Sequence, residues 1–371
     1  MNITRMPFDE VFADESGGNI KTPQSEYLRE GRFPVIDQGK TFIAGYVDDE
    51  ARVCGEGKAA IIFGDHTRCV KYIDRPFCMG ADGVKVLRPK IEANLKYLYY
   101  YLKQVNLPDA GYDRHFKYLK RTEVVLLPLP EQRRIAAILD QADALRAKRR
   151  EALAQLDRLT QAIFVEMFGD PVSNPKGWPV AQLSELVVQG DSINYGVIQP
   201  GDTLDVGVPL VRVGDLTDGQ VSHDSLKKIA PSIEGAYRRS RLRGDEILVS
   251  CVGTIGLVAM VTPTEAGFNI ARAVARIRLS ATVDREFIAE QLRTPSIQHY
   301  FTQELRTVSQ PTLNIKQLAK TQVLLPPPEM QATFKERMSA FRRVKSAHRK
   351  ALADLDNLFT SLQHRAFRGE L

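Results

Sequence analysis

Few residues of this chain are spaced for catalysis. Gly39-Lys40-Thr41 looks like the end of a phosphate-binding loop, in which backbone N–H groups cradle a phosphate, but the earlier glycine such a loop needs falls on Pro34. Gly253-Thr254-Ile255-Gly256 reads more simply as a strand-to-strand turn. A DNA methyltransferase would need a cofactor-binding glycine loop and an acid or amide before two prolines and an aromatic, whereas here Leu325 precedes Pro326-Pro327-Pro328, a run that ends a strand and opens a helix. Asp109, Asp113 and Lys117 fit no strand-borne metal cluster of the kind a nuclease needs. No Ser/His/Asp set stands out among the six histidines. Cys54, Cys69, Cys78 and Cys251 never form a Cys-x-x-Cys pair, and no histidine cluster joins them at zinc spacing, so they read as reduced thiols. We expect no catalytic site, metal or cofactor in this chain.

What remains is suited to gripping DNA. Gly111-Tyr112-Asp113-Arg114-His115-Phe116-Lys117-Tyr118-Leu119-Lys120-Arg121 interleaves positive charge with aromatics. Arginine and lysine hold phosphates or base edges, and an ordinary solvated basic loop is the plain alternative. The corresponding place in the second half of the chain holds Ser309-Gln310-Pro311-Thr312-Leu313-Asn314-Ile315-Lys316, whose amides suit adenine and whose plain alternative is a turn. The net charge of +6 permits a polyanionic partner without requiring one. Its distribution says more, because positive charge gathers in two distant segments, residues 65 to 121 and Arg238 to Arg278.

The elements that carry these residues occur twice. Leu126-Leu127-Pro128-Leu129-Pro130-Glu131 recurs as Leu324-Leu325-Pro326-Pro327-Pro328-Glu329, and Glu151 to Leu159 recurs as Lys350 to Leu358. A period of about 199 residues is far too long for a solenoid, and implies duplicated architecture. From Glu131 to Phe168 there is no Gly or Pro, so one continuous helix of about 57 Å is expected, closed by Gly169-Asp170-Pro171. Its apolar residues follow a heptad, with Ile135, Ala142, Leu156 and Ile163 at one seam position and Ile138, Leu145, Ala152 and Leu159 at the other. The second copy, Glu329 to Phe367, repeats the seam with Phe334, Phe341, Leu355 and Leu362, supported by Val344, Ala351 and Leu358. Either helix alone would expose its stripe, so pairing the two in an antiparallel coiled coil is expected. Arg149 and His348 interrupt the two seams at repeat-equivalent places and should therefore meet.

Ahead of each helix, Ala59 to Gly64 and Glu246 to Ser250 read as short buried strands, followed by Val84 to Leu87 and Val274 to Leu279. Helical stretches are expected at Leu95 to Leu102 and Arg285 to Leu305. The fold class is α/β (α+β), a pseudo-two-fold repeat of two domains, residues 1–126 and 169–324, each feeding one long helix, 127–168 and 325–371. Met1 to Phe12 resembles neither a signal nor a transit peptide, and no run approaches the apolar length of a membrane helix, so the cytoplasm is expected.

Taken jointly, these segments resemble the specificity subunits of type I restriction-modification systems across the whole chain. The resemblance rests on Leu127-Pro128-Leu129-Pro130-Glu131-Gln132 with the Asp157-Arg158-Leu159 helix, its repeat at Leu325 to Leu358, and the closing Ala366-Phe367-Arg368-Gly369-Glu370-Leu371. Gly111 to Leu119, Tyr195 to Gly201, Val211 to Leu216 and Asn269 to Ala273 add to it. The second helix departs by beginning Glu329-Met330-Gln331.

The resemblance implies two target-recognition domains, each reading one half of an interrupted double-stranded DNA site. The helices would act as spacer and dock methyltransferase subunits that use S-adenosylmethionine to methylate adenine. A separate motor-nuclease subunit would translocate and cut with ATP and Mg2+. The DNA contacts expected on that reading are Arg114, His115 and Lys117 in the first domain and Tyr195, Gln199, Gln310 and Asn314 in the second. Thr67 and Thr254, in matching turns after the buried strands, are further candidates for DNA contact. The competing readings are a solitary nuclease or methyltransferase with its own recognition domain, and a coiled-coil scaffold that binds no DNA.

Overall fold

The computed structural model describes residues 3–108, 111, 113–305 and 311–371. The chain divides into two compact units, one of residues up to Glu151 with His348–Leu371, the other Ala152–Ala347.

The first unit runs through β1 (Thr4–Pro7), α1 (Phe8–Val11), β2 (Phe12–Asp14), β3 (Phe33–Ile36), β4 (Gly45–Val47), β5 (Ala60–Gly64), β6 (Val70–Ile73), β7 (Cys78–Met79) and β8 (Val84–Pro89). Then come α2 (Leu95–Gln104), α3 (Phe116–Leu119), β9 (Glu123–Leu126) and the first half of α4 (Leu129–Phe168). Its strands form sheets in the orders β2-β8-β5-β6, β4-β3-β7 and β1-β9. β5 is an unbroken apolar run because both its faces are covered. On one face Phe63 of β5 joins Phe8, Phe12 and Tyr97 in one core with the start of α4. α2 starts where the Asn94 side chain accepts the Tyr97 N–H at 2.9 Å.

The second unit takes the rest of α4 and continues through β10 (Val180–Gln182), β11 (Asn194–Tyr195), β12 (Val208–Val211), β13 (Leu216–Thr217), β14 (Gln220–Val221), β15 (Lys227–Ile229), α5 (Pro231–Gly235), β16 (Ile247–Ser250), β17 (Val258–Met260), β18 (Asn269–Ile270) and β19 (Val274–Ile277). After α6 (Arg285–Leu292), α7 (Pro295–Gln303), α8 (Ile315–Ala319) and β20 (Gln322–Leu324) it ends in the first half of α9 (Pro328–Ala366). The strand orders β11-β19-β16-β17, β15-β12-β18 and β10-β20 reproduce those of the first unit, with the hairpin β14-β13 added at one edge. In each unit the three-stranded sheet contains one parallel pair, Val35 with Cys78 in the first and Leu210 with Asn269 in the second. The helical stretch expected from Arg285 to Leu305 is divided into two helices, because Pro295 lacks the N–H that would continue the first and opens the second instead.

α4 and α9 run antiparallel in both units. Near the chain end Arg134 donates to the Leu371 carbonyl at 2.6 Å, and further along Arg146 Nε lies 2.6 Å from Asp356 Oδ1. In the second unit Lys345 pairs with Asp157, and Phe164 meets Phe334 edge-on at 5.6 Å. Adding the repeat offset converts Arg146 and Asp157 into Lys345 and Asp356, so the two ion pairs are copies of each other. Arg149 Nη1 lies 3.3 Å from His348 Nδ1, a contact between residues 199 apart that are each other's equivalents. The register expected from the two polar interruptions is therefore the observed one.

The second seam position requires correction. Ile135, Ala142, Leu156 and Ile163 face inward as expected, but their seam partners are Leu139, Arg146, Leu153 and Thr160. In α9 the partners of Phe334 and Phe341 are likewise Met338 and Lys345, followed by Leu352 and Phe359. The stripe advances by four residues and then three, so Leu145, Leu159, Val344 and Leu358 lie outside it, 46 to 50% exposed.

Candidate nucleic-acid interface

In the first unit the site is organised by Asp65, the residue after β5. Its N–H donates to the Gly83 carbonyl at 2.7 Å, and its own carbonyl accepts the His115 N–H at 2.8 Å. Its carboxylate accepts the Phe116 N–H at 2.8 Å, so one buried aspartate ties the loop before α3 to the end of the central strand. Sequence reasoning passed over it; an acid directly after an apolar strand and a glycine was the available signal.

His115, expected as a DNA contact, lies within this framework and not at the exposed rim. It is 1% exposed, and its Nδ1 lies 3.1 Å from the Asp65 carbonyl, which can only accept a hydrogen bond. Arg114, by contrast, is exposed at the rim. Lys117 is exposed too, with Nζ 2.6 Å from Asp113 Oδ2 and 5.0 Å from the Tyr118 ring centre. The Lys117 ammonium and the Arg114 N–H hold the Asp113 carboxyl down to about 2, so it is ionised and keeps the loop's first turn closed. Thr67 is exposed, but its hydroxyl donates to the Gln38 carbonyl and accepts the Cys69 N–H at 3.3 Å, which makes it a turn-former.

Beside this loop lies an open cleft of about 270 Å3, lined among others by Lys21, Asp65, Asp82, Gly83, Lys85 and Arg114. Lys21 Nζ is 3.0 Å from Asp82 Oδ1. Lys85 Nζ is 2.9 Å from Asp14 Oδ2 and stands 4.8 Å over the Phe116 ring. Lys21, Asp82 and Lys85 were not anticipated, because Lys21 is far in sequence from the turn and strand start that carry the other two, and only the fold brings them together.

The second unit repeats the frame with other side chains. The Leu313 N–H donates to the Cys251 carbonyl at 2.9 Å, and the Cys251 N–H to the Ala273 carbonyl at 2.8 Å. Tyr195 and Asn314, expected as DNA contacts, are also frame residues. The half-buried Tyr195 hydroxyl donates to the Leu313 carbonyl at 2.7 Å, and burial pushes its pKa up to about 12. Asn314 is the N-cap of α8, and its N–H donates to Gln317 Oε1 at 3.0 Å. Gln199 and Thr254 are exposed, the first on the loop after β11 and the second in the turn between β16 and β17. Gln310 lies outside the described residues. Arg272, overlooked in the sequence, is exposed, and its N–H donates to the Val197 carbonyl at 2.8 Å.

Among the described residues no group of three or more His, Cys, Asp or Glu side chains is placed to hold a metal ion, and no helix is long and apolar enough to cross a membrane. Residues 8–156 and 175–355 match the model of the type I restriction modification DNA specificity domain. The chain is 29% identical to the specificity subunit of the type I restriction enzyme EcoBI of Escherichia coli, over 99% of this chain and 86% of that protein. It is 27% identical to the EcoR124I/EcoR124II specificity subunit of the same organism, over 40% of each. In fold it resembles the crystal structure of a type I restriction-modification S subunit from M. genitalium, with a TM-score of 0.51, 18% identity, and coverage of 99% of this chain and 96% of that one.

Proposed function

The chain belongs to the family of type I restriction-modification DNA specificity domains, and from that premise we propose that each of its units reads one half of an interrupted DNA site. The supporting observation is the duplicated frame, in which the same backbone bonds recur while the rim side chains differ. Equal frames place two readers on DNA in the same way, and unequal rims give them different targets. In this reading the chain itself transfers no methyl group and cuts no strand. Partner subunits supply adenine methylation with S-adenosylmethionine and cleavage with ATP and Mg2+, and the complex works in the cytoplasm.

The surface offered to the methyltransferase is the flank of the coiled coil. Leu145 and Leu358 in the first unit, and Leu159 and Val344 in the second, are exposed apolar residues at repeat-equivalent positions. An apolar residue left in water at the same place in both copies suits two copies of one partner. The test is co-expression with a methyltransferase subunit encoded beside it, followed by sequencing of methylated adenines. A two-part motif is expected, with one adenine modified in each half. Efficient methylation by the purified chain alone, or methylation without sequence preference by the complex, would refute the proposal.

A further inference from the structure

The two frames differ by one residue at the rim of the cleft. In each unit a parallel bridge closes the strand end, Thr22 with Gly80 in the first and Val197 with Ala271 in the second. The Thr22 N–H donates to the Met79 carbonyl at 2.9 Å as the Val197 N–H does to the Ile270 carbonyl at 2.8 Å. The Gly80 N–H donates to Ile36 as the Ala271 N–H does to Val211. The next shared bond is accepted by Gly83 in the first unit and Ala273 in the second. Three residues therefore cover in the first unit what two cover in the second. The longer turn carries Asp82, whose side chain is 86% exposed beside Lys21 and at the same cleft as Arg114.

A carboxylate in that place is costly to a surface that must meet phosphates, since like charges repel. Its ion pair with Lys21 is exposed on both sides and contributes little to stability. The neighbouring cations keep it charged, because Lys21 first and Arg114 after it hold its carboxyl below the ordinary range. An ionised carboxylate only accepts hydrogen bonds, and the donors that DNA presents in the major groove are the exocyclic amino groups of cytosine and adenine.

Resting on the function proposed above, we infer that Asp82 is a specificity-determining residue of the first unit, accepting a hydrogen bond from the exocyclic amino group of one base while Lys21 and Arg114 hold the surrounding DNA. The second unit has no counterpart to this carboxylate in its shorter turn, where Arg272 is the exposed charge.

The experiment compares the methylated motifs of complexes carrying the wild-type chain, Asp82→Ala and Lys21→Met. Asp82→Ala should lower discrimination at a single position of one half-site by about ten-fold or more and leave the other half unchanged. The base preferred there by the wild type, cytosine or adenine, identifies the amino group. Lys21→Met should keep that preference. An unchanged motif with Asp82→Ala, an even gain or loss of affinity over all sequences, or the same relaxation from Lys21→Met would overturn the inference while leaving the functional proposal intact. Absence of any sequence-specific methylation by the wild-type complex would instead overturn both. Asp82 and Lys21 are exposed, so neither substitution disturbs a core.

Discussion

Replacing Arg149 and His348 together by leucine should make the coiled coil more stable and less exact in register. The two residues meet at 3.3 Å in the middle of the seam, where each is half-buried. Two leucines there would bury about 1 kcal/mol of apolar surface each, half the value for full burial. One polar contact worth about 1 kcal/mol would be lost. The balance is about 1 kcal/mol in favour of the double variant, or about 2 °C in the calorimetric midpoint of a unit this size. The gain should cost uniqueness, since a polar layer at one seam position penalises every register in which it faces an apolar layer. Among the polar contacts along the seam, the pairs of Arg146 and Arg150 with Asp356 and of Lys345 with Asp157 would then oppose a heptad slip. Calorimetry gives the first quantity. Spin labels at Leu145 and Leu358 in a Cys69→Ser background give the second, as a distance distribution that should broaden or split. A lower midpoint, or a distribution as narrow as that of the parent, would refute the reasoning.

In the second unit, Arg276 is 1% exposed between Asp191 and Glu246, whereas the strand register places Val86 and Ala60 at the equivalent positions of the first. Arg276→Val alone should cost about 3 kcal/mol or more by urea unfolding, and Arg276→Val with Asp191→Ala less, because Glu246 keeps the N–H donors of Arg243, Gly244 and Asp245 and no other carboxylate is left without its partner. Burial raises the Asp191 pKa, but Arg276 and the Ser192 N–H outweigh it and leave the carboxyl depressed. Its contribution is therefore full above the ordinary carboxylate value and lost as pH falls below about 4, and the drop in stability between pH 5 and pH 3 should be smaller in the double variant. Burial pushes the thiols of Cys251 to about 12 and Cys78 to about 11, and raises Cys54 as well, so a thiol reagent at pH 8 should label the half-exposed Cys69 first and the other three only on unfolding. Tyr195→Phe should cost about 1 kcal/mol by removing the bond to the Leu313 carbonyl, with no change in the base preferred at any position. Binding by the complex should weaken steeply with salt, and Arg114→Ala should reduce the slope if the guanidinium meets phosphate, as titrations at several salt concentrations will measure.

The helices were legible because a stretch without Gly or Pro and a heptad are local signals, and the repeat was legible because two copies could be compared. The strands with long apolar runs, β5 and β16, were legible for the same reason of local composition. The interface was legible only as a neighbourhood. Arg114 and Lys117 are exposed in the segment picked out by its charge, yet His115 beside them is buried, because alternate residues of a loop face opposite ways and nothing local says which. Tyr195 and Asn314 have the chemistry to read a base and use it on the Leu313 carbonyl and the start of α8. Asp82 and Lys21 stand 61 residues apart and meet only through the parallel bridge that joins their loops.

The seam shows how a small ambiguity in pattern decides what a surface is for. A heptad allows an apolar stripe to step by three and then four residues, or by four and then three, and α4 has apolar residues on both courses. Leu145 and Leu159 satisfy the first course, Leu139 and Leu153 the second. Arg146 settles the choice, because on the second course its guanidinium reaches Asp356 and lies 4.2 Å over the Phe359 ring, while its own helix supplies Asp143 at 2.6 Å. Lys345 repeats the arrangement with Asp157. A charge pair thus occupies the seam where a leucine was available, and the leucine is left in water. The same choice of a charge over an apolar neighbour occurs in both copies, Arg146 over Leu145 and Lys345 over Val344, so neither helix can be straightened into a fully apolar seam without losing the exposed residues that we assign to the methyltransferase. Stability of the pair and the surface for its partner are set by one choice of spacing.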